Sequence, residues 1–259
     1  MQVIRYLSLN TTYFLVYLFL MLTETVSVGS ATVVGCSTHL FYTIDRVVGA
    51  LKEKDSSERV TFIRRNLKYI VLVSLVEFII LLTLILNSFN LMIYYGIFLC
   101  FCVFYDLIKK IPLVKSFFVG FCWANIVVII PLVLELEFHM IELLYPSTIV
   151  KFLITMMLGI ASVSMRDIDD CEIDKINGVV TFPTVYGKTN SIIICNMMFL
   201  ITVLFEYVLM YFTEAYRYNI LIVHTIFMMM FSVTRAWDRK HLLDLMFFVL
   251  FVFYSMFIE

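Results

Sequence analysis

Residues 67–87 read LKYIVLVSLVEFIILLTLILN, a stretch in which only Lys68 and Glu77 carry charge. A helix rises about 1.5 Å per residue, so roughly 20 such residues cross the ~30 Å hydrocarbon layer of a bilayer. Comparable apolar blocks recur near 9–25, 27–44, 89–105, 116–134, 146–165, 190–212, 218–235 and 241–257. The expected fold is therefore all-α, a polytopic membrane bundle of nine transmembrane helices. Linkers between the blocks are short and none is of low complexity, so 1–259 reads as a single transmembrane domain.

Composition points the same way. Hydrophobic residues make up 62% of the chain and mean hydropathy is +0.98, against roughly 45–50% apolar residues in soluble domains. Only 15% of residues are charged, too few to coat a soluble domain of this size. A net charge of −1 gives no basic balance of the kind that favours nucleic acid. The first apolar block is not followed by a small-residue cleavage site and a polar chain, so it reads as a span and not a leader. Cys36, Cys100, Cys102, Cys122, Cys171 and Cys195 mostly fall inside apolar blocks, at no zinc spacing, and read as small apolar residues without metal or disulfide.

Charge orients the bundle. Arg5, the 46–68 loop, the 109–115 loop, the loop from Arg166 to Lys188 and the 235–240 loop together hold 17 of the 19 Lys and Arg residues. The opposite side carries Glu24, Glu135, Glu137, Glu142 and Glu214. The positive-inside rule then places the N-terminus and the four long loops in the cytoplasm of a multi-pass cell-membrane protein.

One loop defies this bias. It reads Ser164-Met-Arg-Asp167-Ile-Asp169-Asp170-Cys-Glu172-Ile-Asp174-Lys175, directly after the sixth block. If the helix continues, about 100° per residue puts Asp167, Asp170 and Asp174 on one face and turns Asp169 and Glu172 away. Two readings are open: a solvated acidic helix end, or stacked carboxylates bridged by a cation. Oxygen-only ligands suit Mg²⁺, which takes a few carboxylates, keeps waters and accepts phosphate oxygens. Beyond it, Gly178, Pro183 and Gly187 should end and restart helices.

The run Asp167, Asp170, Asp174, Lys175, Gly178, Thr181, Pro183, Gly187 resembles the second aspartate motif of the UbiA superfamily of intramembrane prenyltransferases. The loop after the fourth block, from Tyr105 through Lys109 and Lys110 to Lys115, is similar to that family's Y-x-x-x-K element. The family's first motif, N-x-x-x-D-x-x-x-D at the end of the second span, is degenerate here. In either alignment register Asp45 is the only acid in its core, with Arg46 beside it and Glu53 and Asp55 further along the loop.

The resemblance implies a helical bundle around a central cavity open to the bilayer, and Mg²⁺ held by Asp45, Asp167, Asp170 and Asp174. Tyr105 and Lys109 would grip an isoprenyl diphosphate, with Arg46, Lys110 and Lys175 as further substrate contacts. The implied reaction moves the isoprenyl group onto a lipophilic or aromatic acceptor. Two alternatives stand beside it: a UbiA-type isoprenoid cyclase needing no acceptor, and a non-catalytic or transport protein. Glu77 and Glu206, each alone in an apolar block, would be coupling groups in the last. Asn125, Asn196 and His224 read as helix–helix contacts, and the abundant Phe and Met as lipid face and core.

Overall fold

The computed structural model describes residues 9–23, 27–52, 58–105, 111, 113–135, 145–176, 178–213, 221–223, 225–226 and 228–229. Hydrocarbon offers backbone groups no water, so a chain of this composition satisfies them internally, as helices. In order these are α1 (Leu9–Leu22), α2 (Val28–Lys52), α3 (Glu58–Leu86), α4 (Phe89–Val103), α5 (Val114–Ala124), α6 (Ile130–Glu135), α7 (Pro146–Ile176) and α8 (Phe182–Thr213). A π-helical turn, Asn125–Ile129, joins α5 to α6. Pro131 lies two residues beyond it and cannot donate to the carbonyl four residues back, a local cause for shifting the ladder.

Among the described residues four segments are long and apolar enough to cross a membrane: Glu58–Leu86, Val114–Leu134, Pro146–Glu172 and Phe182–Thr213. Thr11–Leu22 and Phe89–Val103 are shorter apolar helices. The block at 218–235 is described only in part, and 241–257 lies outside the described residues. α2, expected to span over 27–44, is not among the four. Ser30, Ser37, Thr38, His39 and Thr43 are buried on it, so its polarity faces protein. Tyr95 of α4 donates to Ser37 Oγ at 2.9 Å, and His39 Nδ1 donates to the Glu77 carboxylate of α3 at 2.7 and 2.8 Å. A helix lined on several sides by other helices can carry polar groups that lipid would not tolerate.

α3 shows the opposite character. Its middle exposes Val71, Leu72, Val73, Leu75, Val76, Phe78, Ile79 and Ile80, a continuous lipid-type face. Ser88 caps α4 by accepting from Leu91 N, which makes the α3–α4 turn tight.

The tightest packing joins α5 to α7. A Cβ placed on Gly120 would lie 2.6 Å from Met156 O, and one on Gly159 would lie 2.8 Å from Gly120 Cα. Small residues let two backbones touch, the usual basis of close helix pairing in membranes. One turn nearer the acidic loop, Ser164 Oγ donates to Ser116 Oγ at 3.1 Å. α8 also packs along α7. The first turn of α8 is set off by Gly187, whose φ of 79° and ψ of 163° break the helix.

Candidate active site

α7 stays helical through Ile176, so the acidic run keeps its helical phase beyond the apolar block. Asp167 and Asp174 are buried at 5% and 9% exposure. Asp170 is half-buried, while Asp169 and Glu172 are exposed. Gly178 then ends the helix with φ 67°, and its N–H bonds Lys175 O while Val179 N–H bonds Asp174 O. That reversal brings Thr181 Oγ1 to within 3.4 Å of Asp174 Oδ2.

The group facing these acids is Lys115, in the first turn of α5. Its Nζ donates to Asp167 Oδ1 at 2.7 Å and stands 4.0 Å from Asp174 Oδ2. Two features seat it there. Leu113 N–H donates to Val180 O at 3.2 Å, tying the start of α5 to the loop after α7. The Gly120–Gly159 crossing and the serine pair then hold the two helices side by side. The other oxygen of Asp167, Oδ2, is buried without a hydrogen-bond partner.

Asp45 lies on the second half of the site. It stands, exposed, at the rim of a cavity of about 360 Å³ between α2, α4 and α5. The walls are apolar and aromatic, with Phe41, Phe98, Phe118, Trp123 and Ile126 among them. Trp123 Nε1 donates to Tyr42 OH at 2.8 Å, which keeps both polar tips satisfied inside an otherwise greasy wall. Tyr105, also lining the cavity, stacks on Phe118 with ring centroids 5.5 Å apart. Burial pushes the Tyr105 phenol up, and the charges of Asp45, then Tyr42 and Asp167, push it the same way. The phenol thus feels both half-sites and stays protonated, able to donate.

Cations gather beside Asp45. Burial, then the neighbouring Arg59 and Arg166, lowers the Arg46 guanidinium to about 10, with Asp45 acting in the opposite sense. Arg166 itself donates to Thr11 Oγ1 at 3.2 Å. Lys175 is exposed and sits 3.6 Å from Glu172, on the outer side of α7. Lys109 and Lys110 lie outside the described residues. Among the described residues no three Asp, Glu, His or Cys side chains come together to hold one metal ion. The structure therefore does not gather Asp45, Asp167, Asp170 and Asp174 around one point; it divides them between two walls.

The chain matches the UbiA prenyltransferase family over residues 43–257, a stretch that contains both acidic regions and the Tyr105 loop. It belongs to the UbiA prenyltransferase family. Among solved structures it is similar to a UbiA homolog from Aeropyrum pernix K1 determined in the apo state. That match has a TM-score of 0.68 at 11% identity and covers 96% of this chain and 98% of the other. No curated protein matches the sequence. The UbiA fold so identified is a membrane-embedded helical bundle, and Tyr105, which lines the cavity with Asp45, also feels the charge of Asp167 on α7.

The residues present have the chemistry that Mg²⁺ requires. All the candidate donors are carboxylate oxygens, and Asp167 Oδ2 is a buried oxygen in want of a partner. Mg²⁺ takes one or two carboxylates and completes its shell with water and phosphate, so a site with fewer than three converging acids suits it. Asp167, through Oδ2, and Asp170 beside it on α7 are the residues that would hold it, with Asp45 standing apart on the other wall.

Sequence reasoning missed two partnerships. Lys115 was one of three lysines in its loop, with nothing in the local pattern to mark it. Glu77 does not stand alone in its block: it is paired with His39, itself 3.3 Å from Thr43 Oγ1.

Proposed function

We propose that this chain transfers an isoprenyl group from an isoprenyl diphosphate to a lipophilic or aromatic acceptor in a Mg²⁺-dependent reaction. The observation that carries the reading is the cavity: about 360 Å³ with mainly apolar walls, and with Asp45 and Tyr105 as polar groups in its lining. A prenyl tail would lie among Phe41, Phe98 and Trp123, with the diphosphate at the rim. Mg²⁺, when bound, supplies the positive charge that stabilises the leaving diphosphate.

The chain's own residues do the rest. Tyr105 donates a hydrogen bond to a phosphate oxygen, and Arg46 adds a charged donor on the α2 side. The bond between the allylic carbon and oxygen breaks, its electron pair leaving with the diphosphate. The acceptor bonds to that carbon and releases a proton at the rim. The apolar walls keep water from the cation in between. Ile44 and Val103 line the cavity and are 54% and 78% exposed, so the wall opens sideways, where lipophilic acceptors reside. The cytoplasmic orientation of the rim follows from the loop charges and belongs to the same proposal.

The test is incubation of purified protein with Mg²⁺, a panel of prenyl diphosphates and a lipid extract, followed by mass spectrometry. The expected result is a prenylated acceptor with release of diphosphate, abolished by EDTA and restored by Mg²⁺. Consumption of every prenyl diphosphate without acceptor, giving a cyclic hydrocarbon, would replace the reading with the cyclase. No turnover at all would remove it.

A further inference from the structure

An acidic face built to hold metal ions is expected to leave its carboxylates open to solvent and to incoming cations. Here the first and third acids of the α7 face already share a cation that belongs to the chain. Lys115 Nζ lies 2.7 Å from Asp167 Oδ1 and 4.0 Å from Asp174 Oδ2, with side-chain exposures of 19%, 7% and 12% for the three. At 2.7 Å the ammonium occupies the lone-pair side of Oδ1, and a divalent ion cannot bind that oxygen there at the same time. Oδ2, buried and without a partner, is the oxygen left for a metal.

The lysine is not there by chance of a flexible loop. The start of α5 is tied to Val180 O, the Ser116–Ser164 bond lies one residue further on, and at Gly120 and Gly159 the two helix backbones come into direct contact. An ammonium has three N–H donors and no acceptor. Held by Asp167, it can turn a second donor from Asp174 towards a phosphate oxygen without moving the backbone. Charge follows the same division on the other wall, where Arg46 stands next to Asp45, the one acid left in the degenerate motif.

We propose that Lys115 takes the place of one divalent cation in this site, so that the diphosphate is bound by a single metal ion together with a tethered ammonium. The proposal rests on reading the site as a diphosphate site, but it concerns ion count and not turnover. It assigns Lys115 a positioning role on Asp167 and a charge role towards phosphate.

The experiment uses the full chain in lipid nanodiscs, with Mn²⁺ as a paramagnetic substitute for Mg²⁺ and inorganic pyrophosphate as the probe. Electron paramagnetic resonance counts bound Mn²⁺. Wild type should bind one ion per chain with pyrophosphate, and Lys115→Met should either gain a second ion or bind Mn²⁺ about tenfold more tightly without pyrophosphate. Lys115→Arg, which keeps the charge, should stay with wild type. Two ions or none bound to wild type overturns the proposal, as does Lys115→Met with unchanged count and affinity. If Lys115→Met does not fold, the wild-type count alone decides. One ion with pyrophosphate but no turnover of any prenyl diphosphate would remove the transferase reading and leave the role of Lys115 intact.

Discussion

Asp167 on α7 and Asp45 on α2 both act on the Tyr105 phenol, yet they are held in different ways. Asp167 is 5% exposed, is bonded to a lysine, and rides on a helix locked to its neighbour through two glycines. Asp45 is exposed at a cavity rim, on a helix whose buried face is mainly polar. The difference teaches how one site divides its labour. The α7 wall is desolvated and pre-organised, so each charge there acts in a low dielectric and counts for more. On the α2 wall Asp45 is exposed, and its charge is softened by solvent, while Arg46 beside it is the desolvated partner.

That contrast can be broken by substitution. Asp170→Ala, on the organised wall but outside the lysine pair, should lower turnover about 10²–10³-fold, the scale for losing one pre-placed electrostatic group; steady-state rates of diphosphate release check it, and full turnover would sink the assignment. Gly120→Val should come next. The added carbons meet Met156 O and Ile160, costing about 1–3 kcal/mol by overpacking, read as a lower melting temperature in detergent with activity lost in parallel. Asp45→Asn, at the exposed acid of the α2 wall, should cost about tenfold less than Asp170→Ala and shift the Mg²⁺ dependence to higher concentration. Equal losses at Asp45 and Asp170 would erase the contrast. Tyr105→Phe removes one donor to a charged phosphate oxygen, worth about 1.5 kcal/mol at the low end for such bonds, and should lower kcat by roughly tenfold.

The smallest effect is expected at Glu77→Gln, which weakens the bond to His39 but keeps the side chain's shape. Interhelical bonds of this kind average about 0.6 kcal/mol in membranes, so prenyl transfer should stay within about twofold of wild type. A flux activity lost in this variant would favour the transport reading.

Much of this was legible in the sequence, for physical reasons. Bilayer thickness forces apolar blocks to a set length: the block at 190–212 falls within α8, and the block at 67–87 overruns the end of α3 by one residue. The helical period placed Asp167, Asp170 and Asp174 on one face, and burial follows that phase. Hydropathy, however, sees only what lies in hydrocarbon: α2 runs on to Lys52, α3 begins at Glu58 and α7 extends to Ile176, all past their apolar blocks. Pairings between helices were beyond reach. Lys115 and Asp167 are 52 residues apart and meet because Gly120 and Gly159 do. A small-residue position in each of two consecutive spans was the available signal.

The sideways opening at Ile44 and Val103 has one more consequence. A cavity of about 360 Å³ sits at the small end of ligand pockets, which run from roughly 300 to 1,000 Å³. A tail too long for it has somewhere to go: out between the helices and into the acyl chains. Past that gap the lipid, not the protein, is the surface that the tail touches. Selectivity for length would then vary with the membrane in which the chain is assayed, and detergent would flatten it.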